Sequence, residues 1–105
     1  MLCVIDVGNT HTVLGLYRDN ELVNKWRLRT DSRRTSDEWG LALKSLFDLA
    51  GLNLGEVEAA AVSSVVPQAV FSINRAIKRY FGITALVIGP GVKTGLAIRY
   101  ESPRE

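Results

Sequence analysis

The residues best able to do chemistry lie near the start of the chain, in the stretch Asp6-Val7-Gly8-Asn9-Thr10-His11-Thr12-Val13. Asp6 ends an otherwise apolar run, Leu2-Cys-Val-Ile, so its carboxylate emerges where a strand gives way to a turn. A carboxylate there costs solvation unless water, hydrogen-bond donors or a cation meet it. Gly8, Asn9, Thr10 and Thr12 supply backbone amides and hydroxyls of the kind that surround phosphate oxygens in a hairpin turn. In that arrangement Asp6 holds a divalent cation, directly or through water, because a carboxylate against phosphate is repelled. Asp-x-Gly-x-Thr is nevertheless a short pattern, and a tight hairpin with a solvated aspartate accounts for it equally well.

The other candidates are weaker. His11, the only histidine, reads as a solvated imidazole whose backbone belongs to the loop, since acid–base catalysis by a lone histidine needs a visible partner. Lys25, Arg27, Arg29, Arg33 and Arg34 make a basic cluster. It reads first as a solvated face, and otherwise as an attractor of an anionic substrate or a partner subunit. Tyr100, beside Arg99, fits no apolar periodicity and reads as lining a site or an interface. Cys3, the only cysteine, reads as a small buried hydrophobe and allows no internal disulfide. A Gly-x-x-x-x-Gly-Lys-Ser/Thr loop is absent, and Gly89-Pro-Gly91 lacks the spacing and context of a dinucleotide fingerprint.

The elements that must position these residues follow from patterning. Leu2 to Asp6 is apolar without alternation and predicts a central strand covered on both faces. Thr12 to Arg18 predicts a second strand, Asp19-Asn20 a reverse turn, and Leu22 to Thr30 a third strand. In the third, Leu22, Asn24, Trp26, Leu28 and Thr30 share one face; Val23, Lys25, Arg27 and Arg29 share the other. Thr35 followed by Glu38 is a capping box, and Trp39, Leu43, Leu46, Phe47 and Ala50 recur at helical spacing before Gly51. Leu54 to Glu58 reads as linker. Ala59 to Val66 is a second apolar run, broken by Ser63 and Ser64. Pro67 opens a second helix with the stripe Val70, Ile73, Ile77 and Tyr80, ending near Gly82. Ala85 to Ile88 predicts a short strand, and Val92 to Tyr100 a weaker one. The whole is an α/β pattern: a three-strand antiparallel meander, then helix, strand, helix, strand, with the later strands parallel to the first.

Composition bounds the classes. The chain has 105 residues, 47% hydrophobic and 23% charged, with 13 Lys and Arg against 11 Asp and Glu for a net charge of +2. One globular domain is expected, and the charge excess is too small to imply nucleic acid. The apolar runs are too short for a bilayer span, so a cytoplasmic protein without membrane association is expected.

With Asp6-Val-Gly-Asn-Thr10 at the end of a first strand, the chain resembles type III pantothenate kinases, of the superfamily of actin, heat-shock ATPases and sugar kinases. Matching stretches are Trp26-Arg27, Thr30-Asp31, Arg34-Thr35-x-Asp-Glu38, Ser63-Ser-Val-Val-Pro67, Gly89-Pro-Gly-Val-Lys-Thr-Gly-Leu96, Ile98-Arg-Tyr100 and Pro103-Arg104. The resemblance implies a ribonuclease H-like mixed sheet and an ATP-phosphate loop over Asp6 to Val13. Asp6 would manage Mg2+, and Tyr100 would contact pantothenate. It implies phosphorylation of pantothenate by ATP, the first step of coenzyme A synthesis, by a homodimer that also needs K+ or NH4+. Residues 1–105 would form the N-terminal lobe, with 92–105 leading to a second lobe that binds the monovalent cation. The family's Gly-Ala-Asp-Arg motif, whose aspartate is the catalytic base, would follow Glu105, so the segment alone is expected to be inactive. A non-catalytic relative acting in transcriptional regulation is the alternative, and a sugar or acetate kinase a lesser one.

Overall fold

A computed structural model of the chain describes residues 1–89. The elements run β1 (Leu2–Val7), β2 (His11–Arg18), β3 (Glu21–Arg29), α1 (Ser36–Leu49), a 3₁₀ turn (Leu54–Glu56), β4 (Ala59–Ser64), α2 (Pro67–Ala76), a π turn (Ile77–Phe81) and β5 (Leu86–Ile88). The strands form one sheet in the order β3-β2-β1-β4-β5. β1 pairs antiparallel with β2, and β2 with β3, while β4 and β5 continue from β1 in parallel. Helical crossovers between β3, β4 and β5 are what permit the parallel pairs. The mixed sheet is therefore the predicted one, with β1 at its centre. The expected strand Val92 to Tyr100, the segment 92–105 and Tyr100 itself lie outside the described residues.

Alternation along β1 decides which side chains are buried. Cys3, Ile5 and Val7 point into the core, together with Leu14 and Leu16 of β2 and Ala60 and Val62 of β4. Trp39, Leu43 and Phe47 of α1 and Ala69, Ile73 and Ala76 of α2 close that same face. An aromatic row crosses the core, with Trp26 to Phe47 and Phe47 to Phe81 each 5.6 Å between ring centroids. On the other face of β1, Leu2 and Val4 are only half-buried and Asp6 is exposed. The coverage of both faces expected for β1 is thus seen among the described residues on one.

The hairpin joining β2 to β3 turns at Asp19 and Asn20, whose φ values of 53° and 69° are those of a type I′ turn. A bulge between Leu16 and Tyr17 then shifts the register by one residue. Counting back from the turn without that bulge would set Trp26 opposite Val13. With it, Trp26 pairs Leu14 and faces the core, and Arg27 pairs Val13. Leu22 is the exception to the expected alternation, because the bulge lies between it and the rest of β3. Its Cδ1 lies 3.5 Å from where a Cβ on Gly15 would stand, on the open face.

Helix α1 begins as the sequence predicts. Thr35 Oγ1 accepts from the Glu38 amide at 3.1 Å, and Glu38 Oε1 accepts from the Thr35 amide at 2.8 Å. The 3₁₀ turn at Leu54–Glu56 replaces the expected linker; Glu56 Oε2 accepts from the Asn53 amide and so stabilises its start. The stripe expected for α2 is also displaced. Because the helix ends in a wider π turn, Phe81 takes the inward position and Tyr80 lies outside. Tyr80 instead crosses to α1, where its hydroxyl donates to Asp37 Oδ1 at 2.8 Å and its ring lies against Gly40.

Candidate active site

The chemistry-bearing residues converge at the carboxyl end of β1. Cross-strand pairing sets Asp6 beside Val13, and Val13 beside Arg27, so the three stand in a row over β1, β2 and β3. With Gly8 and His11 they line a depression of ≈ 350 Å³. In open sheets that combine helices with parallel strands, ligands bind outside the carboxyl ends of the strands, which is where this depression lies.

The turn between β1 and β2 is built by its glycine. The Gly8 amide donates to the His11 carbonyl at 2.9 Å. A Cβ at Gly8 would stand 3.2 Å from that same oxygen, a tight contact that the backbone would have to relieve by a few tenths of an ångström. Asn9 and Thr10 form the exposed tip. Among the described residues their amides donate no hydrogen bond, which leaves two adjacent N–H groups for an anion. The Thr10 carbonyl accepts from the Thr30 amide at 2.8 Å and ties the tip to the end of β3.

The expected loop residues therefore divide. Asp6, Gly8, His11 and Val13 share the depression; Asn9 and Thr10, between Gly8 and His11 in sequence, are exposed and do not line it. Val7 is buried in the core, and its carbonyl accepts from Val65. Thr12 is also fully buried; its Oγ1 lies 2.8 Å from Thr30 Oγ1, so its hydroxyl faces the core and not the depression. The basic cluster divides as well. Lys25, Arg27 and Arg29 line the open face of β3, but Arg34 stacks 4.8 Å over the Trp39 ring. Arg33 turns to Asp31, and its backbone N–H holds that carboxyl below its usual range. Arg27 belongs to the basic cluster expected from residue types, but its place in this depression depends on register, which the bulge fixes.

Among the described residues no group of three or more His, Cys, Asp or Glu side chains could hold a metal ion. A magnesium–nucleotide complex does not require such a group. Magnesium keeps several waters and is held by one or two carboxylates together with substrate phosphates. Asp6 beside two unengaged amides is a donor set of that kind.

A family model described as type III pantothenate kinase matches residues 2–105. The chain belongs to the type III pantothenate kinase family. It is 50% identical over 105 residues to the type III pantothenate kinase of Halalkalibacterium halodurans and 48% identical to that of Bacillus cytotoxicus. Each alignment covers 100% of this chain but only 41% and 40% of the relative, so the chain spans about two fifths of their length. Among solved structures it is similar to a putative N-acetylglucosamine kinase from Porphyromonas gingivalis, with a TM-score of 0.63 and 17% identity over 85% of this chain and 34% of that one. RuvC from Thermus thermophilus aligns with a TM-score of 0.56 and 19% identity over 85% of this chain and 64% of its own. At such identities these likenesses speak to fold alone, a ribonuclease H-like mixed sheet.

Proposed function

We propose that this chain is the phosphate-binding lobe of an ATP-dependent kinase that phosphorylates pantothenate to 4′-phosphopantothenate. The observation that carries the reading is Asp6 standing at the mouth of the central strand beside a hairpin tip with two unengaged amides. In this reading the Asn9 and Thr10 amides take oxygens of the ATP phosphate tail. Asp6 holds Mg2+ directly or through water, and Gly8 keeps the turn tight enough for the approach. Magnesium, when bound, neutralises charge on the phosphates during transfer. Arg27 adds positive potential on the same side of the sheet.

Family membership supports the finer assignments. Tyr100 contacts pantothenate, and 92–105 leads into a second lobe that supplies the base and the K+ or NH4+ site. The complete protein is a cytoplasmic homodimer in this reading. Phosphoryl transfer needs charge stabilisation and positioning from both sides of the phosphate, so residues 1–105 alone turn nothing over. The test is to supply the full-length protein with ATP, Mg2+, K+ and pantothenate and to identify the product by mass spectrometry. The reading expects 4′-phosphopantothenate and ADP in equal amounts. No product, or phosphorylation of a sugar in its place, would contradict it.

A further inference from the structure

The sheet places one more polar side chain beside Asp6. In the parallel pairing of β1 and β4, Asp6 and Ser63 are Cα partners. Their side chains therefore emerge on the same face, from strands about 4.8 Å apart. Ser63 is half-buried, and its neighbour across the next strand pair is Ile88. Among the described residues its hydroxyl makes no hydrogen bond. Ser64 behaves differently although it is adjacent in sequence. It turns inward, donates to the Val66 carbonyl at 3.0 Å and accepts from the Val66 amide at 2.7 Å, fixing the bend into α2. The two serines thus have separate duties, and structure explains only the second.

We propose that Ser63 is a positioning residue of the magnesium site, its hydroxyl holding a water of the hydration shell of the ion that Asp6 carries. The inference rests on the reading of Asp6 given above. Magnesium demands octahedral geometry at about 2.0–2.1 Å and gives up its waters reluctantly. A carboxylate and a hydroxyl on adjacent strands are spaced to grip different waters of one such shell. A neutral hydroxyl suits this place, because a second carboxylate would add repulsion against the phosphates. A partly buried hydroxyl also needs a partner to offset its lost hydration, and a shell water supplies it.

The test uses the full-length protein, with Mn2+ as a spectroscopic substitute for Mg2+ and ATP present. The free-ion electron paramagnetic resonance signal reports binding without any turnover. Ser63→Val and Ser63→Thr have the same shape and differ only in the hydroxyl, so their comparison stands even if both disturb packing. We expect Ser63→Val to weaken Mn2+ binding roughly three- to tenfold, the loss of one hydrogen bond, and Ser63→Thr to restore most of it. Asp6→Asn is measured alongside. If Asp6→Asn weakens binding while the Ser63 variants match one another, the role of Ser63 is overturned and that of Asp6 stands. If Asp6→Asn also binds Mn2+ like the unaltered protein, both fall.

Discussion

Cys3 and Asp6 belong to one strand, but alternation sends them into different media. The Cys3 thiol is enclosed in the core, and burial pushes its pKa up from 9.0 to about 12. It should therefore resist a water-soluble thiol reagent at pH 8 in the folded protein and react at once in denaturant; rapid labelling of the native chain would contradict this. The same shift fixes a sign. The unfolded thiol ionises from about pH 9 and the folded one only near 12. Between these values the unfolded chain binds fewer protons, so stability falls as pH rises. Urea unfolding at pH 8 and 10.5 should show a smaller drop for Cys3→Ala than for the unaltered chain. At Thr12 the same alternation works against a simple reading of the sequence. Residue type and proximity assign its hydroxyl to the loop, but pairing with Val7 turns it inward to Thr30. Thr12→Val should accordingly cost stability, about 1 kcal/mol in urea unfolding for the broken hydrogen bond, and leave nucleotide affinity nearly unchanged.

At the scale of elements, α1 and α2 meet where Gly40 admits the Tyr80 ring. A Cβ on Gly40 would collide with Cε2 and Cδ2 of Tyr80, so Gly40→Ala must displace the ring and break its hydrogen bond to Asp37. We expect a loss of about 1–3 kcal/mol in chemical denaturation. In a Tyr80→Ala background the same change should be neutral, or stabilising by roughly 0.5–1 kcal/mol, because alanine favours a helix over glycine. Equal costs in both backgrounds would show that the contact does not matter. The contact also marks where the sequence stops being legible. Capping residues and hydrophobic period announce α1 and the start of α2, because those signals are local. The π turn is not local: the choice of Phe81 over Tyr80 for the core depends on the aromatic row from Trp26 through Phe47. The β2–β3 bulge is similar. Turn counting and apolar alternation disagree about Trp26, and only the demand to bury that ring decides which is right. Asp6 is legible because an acid ending an apolar strand stands out; alternation also puts Arg27 on the polar face of β3, but its place opposite Val13 depends on the bulge.

For the molecule as a whole, the proposed function makes this segment the cation-side half of a site that a second lobe completes. Residues 1–105 in isolation should bind magnesium–ATP more weakly than micromolar in calorimetric titration, since one wall of a cleft recovers little of the entropy lost on binding. Micromolar, magnesium-dependent affinity would mean that this lobe is a complete nucleotide site. That Asp6 carries the cation of the reacting nucleotide can be checked by comparing turnover of the full-length protein with that of its Asp6→Asn variant over a range of Mg2+ concentrations. Turnover should fall roughly a hundredfold or more, with a higher Mg2+ requirement. Equal turnover and an equal Mg2+ requirement in the two proteins would contradict it.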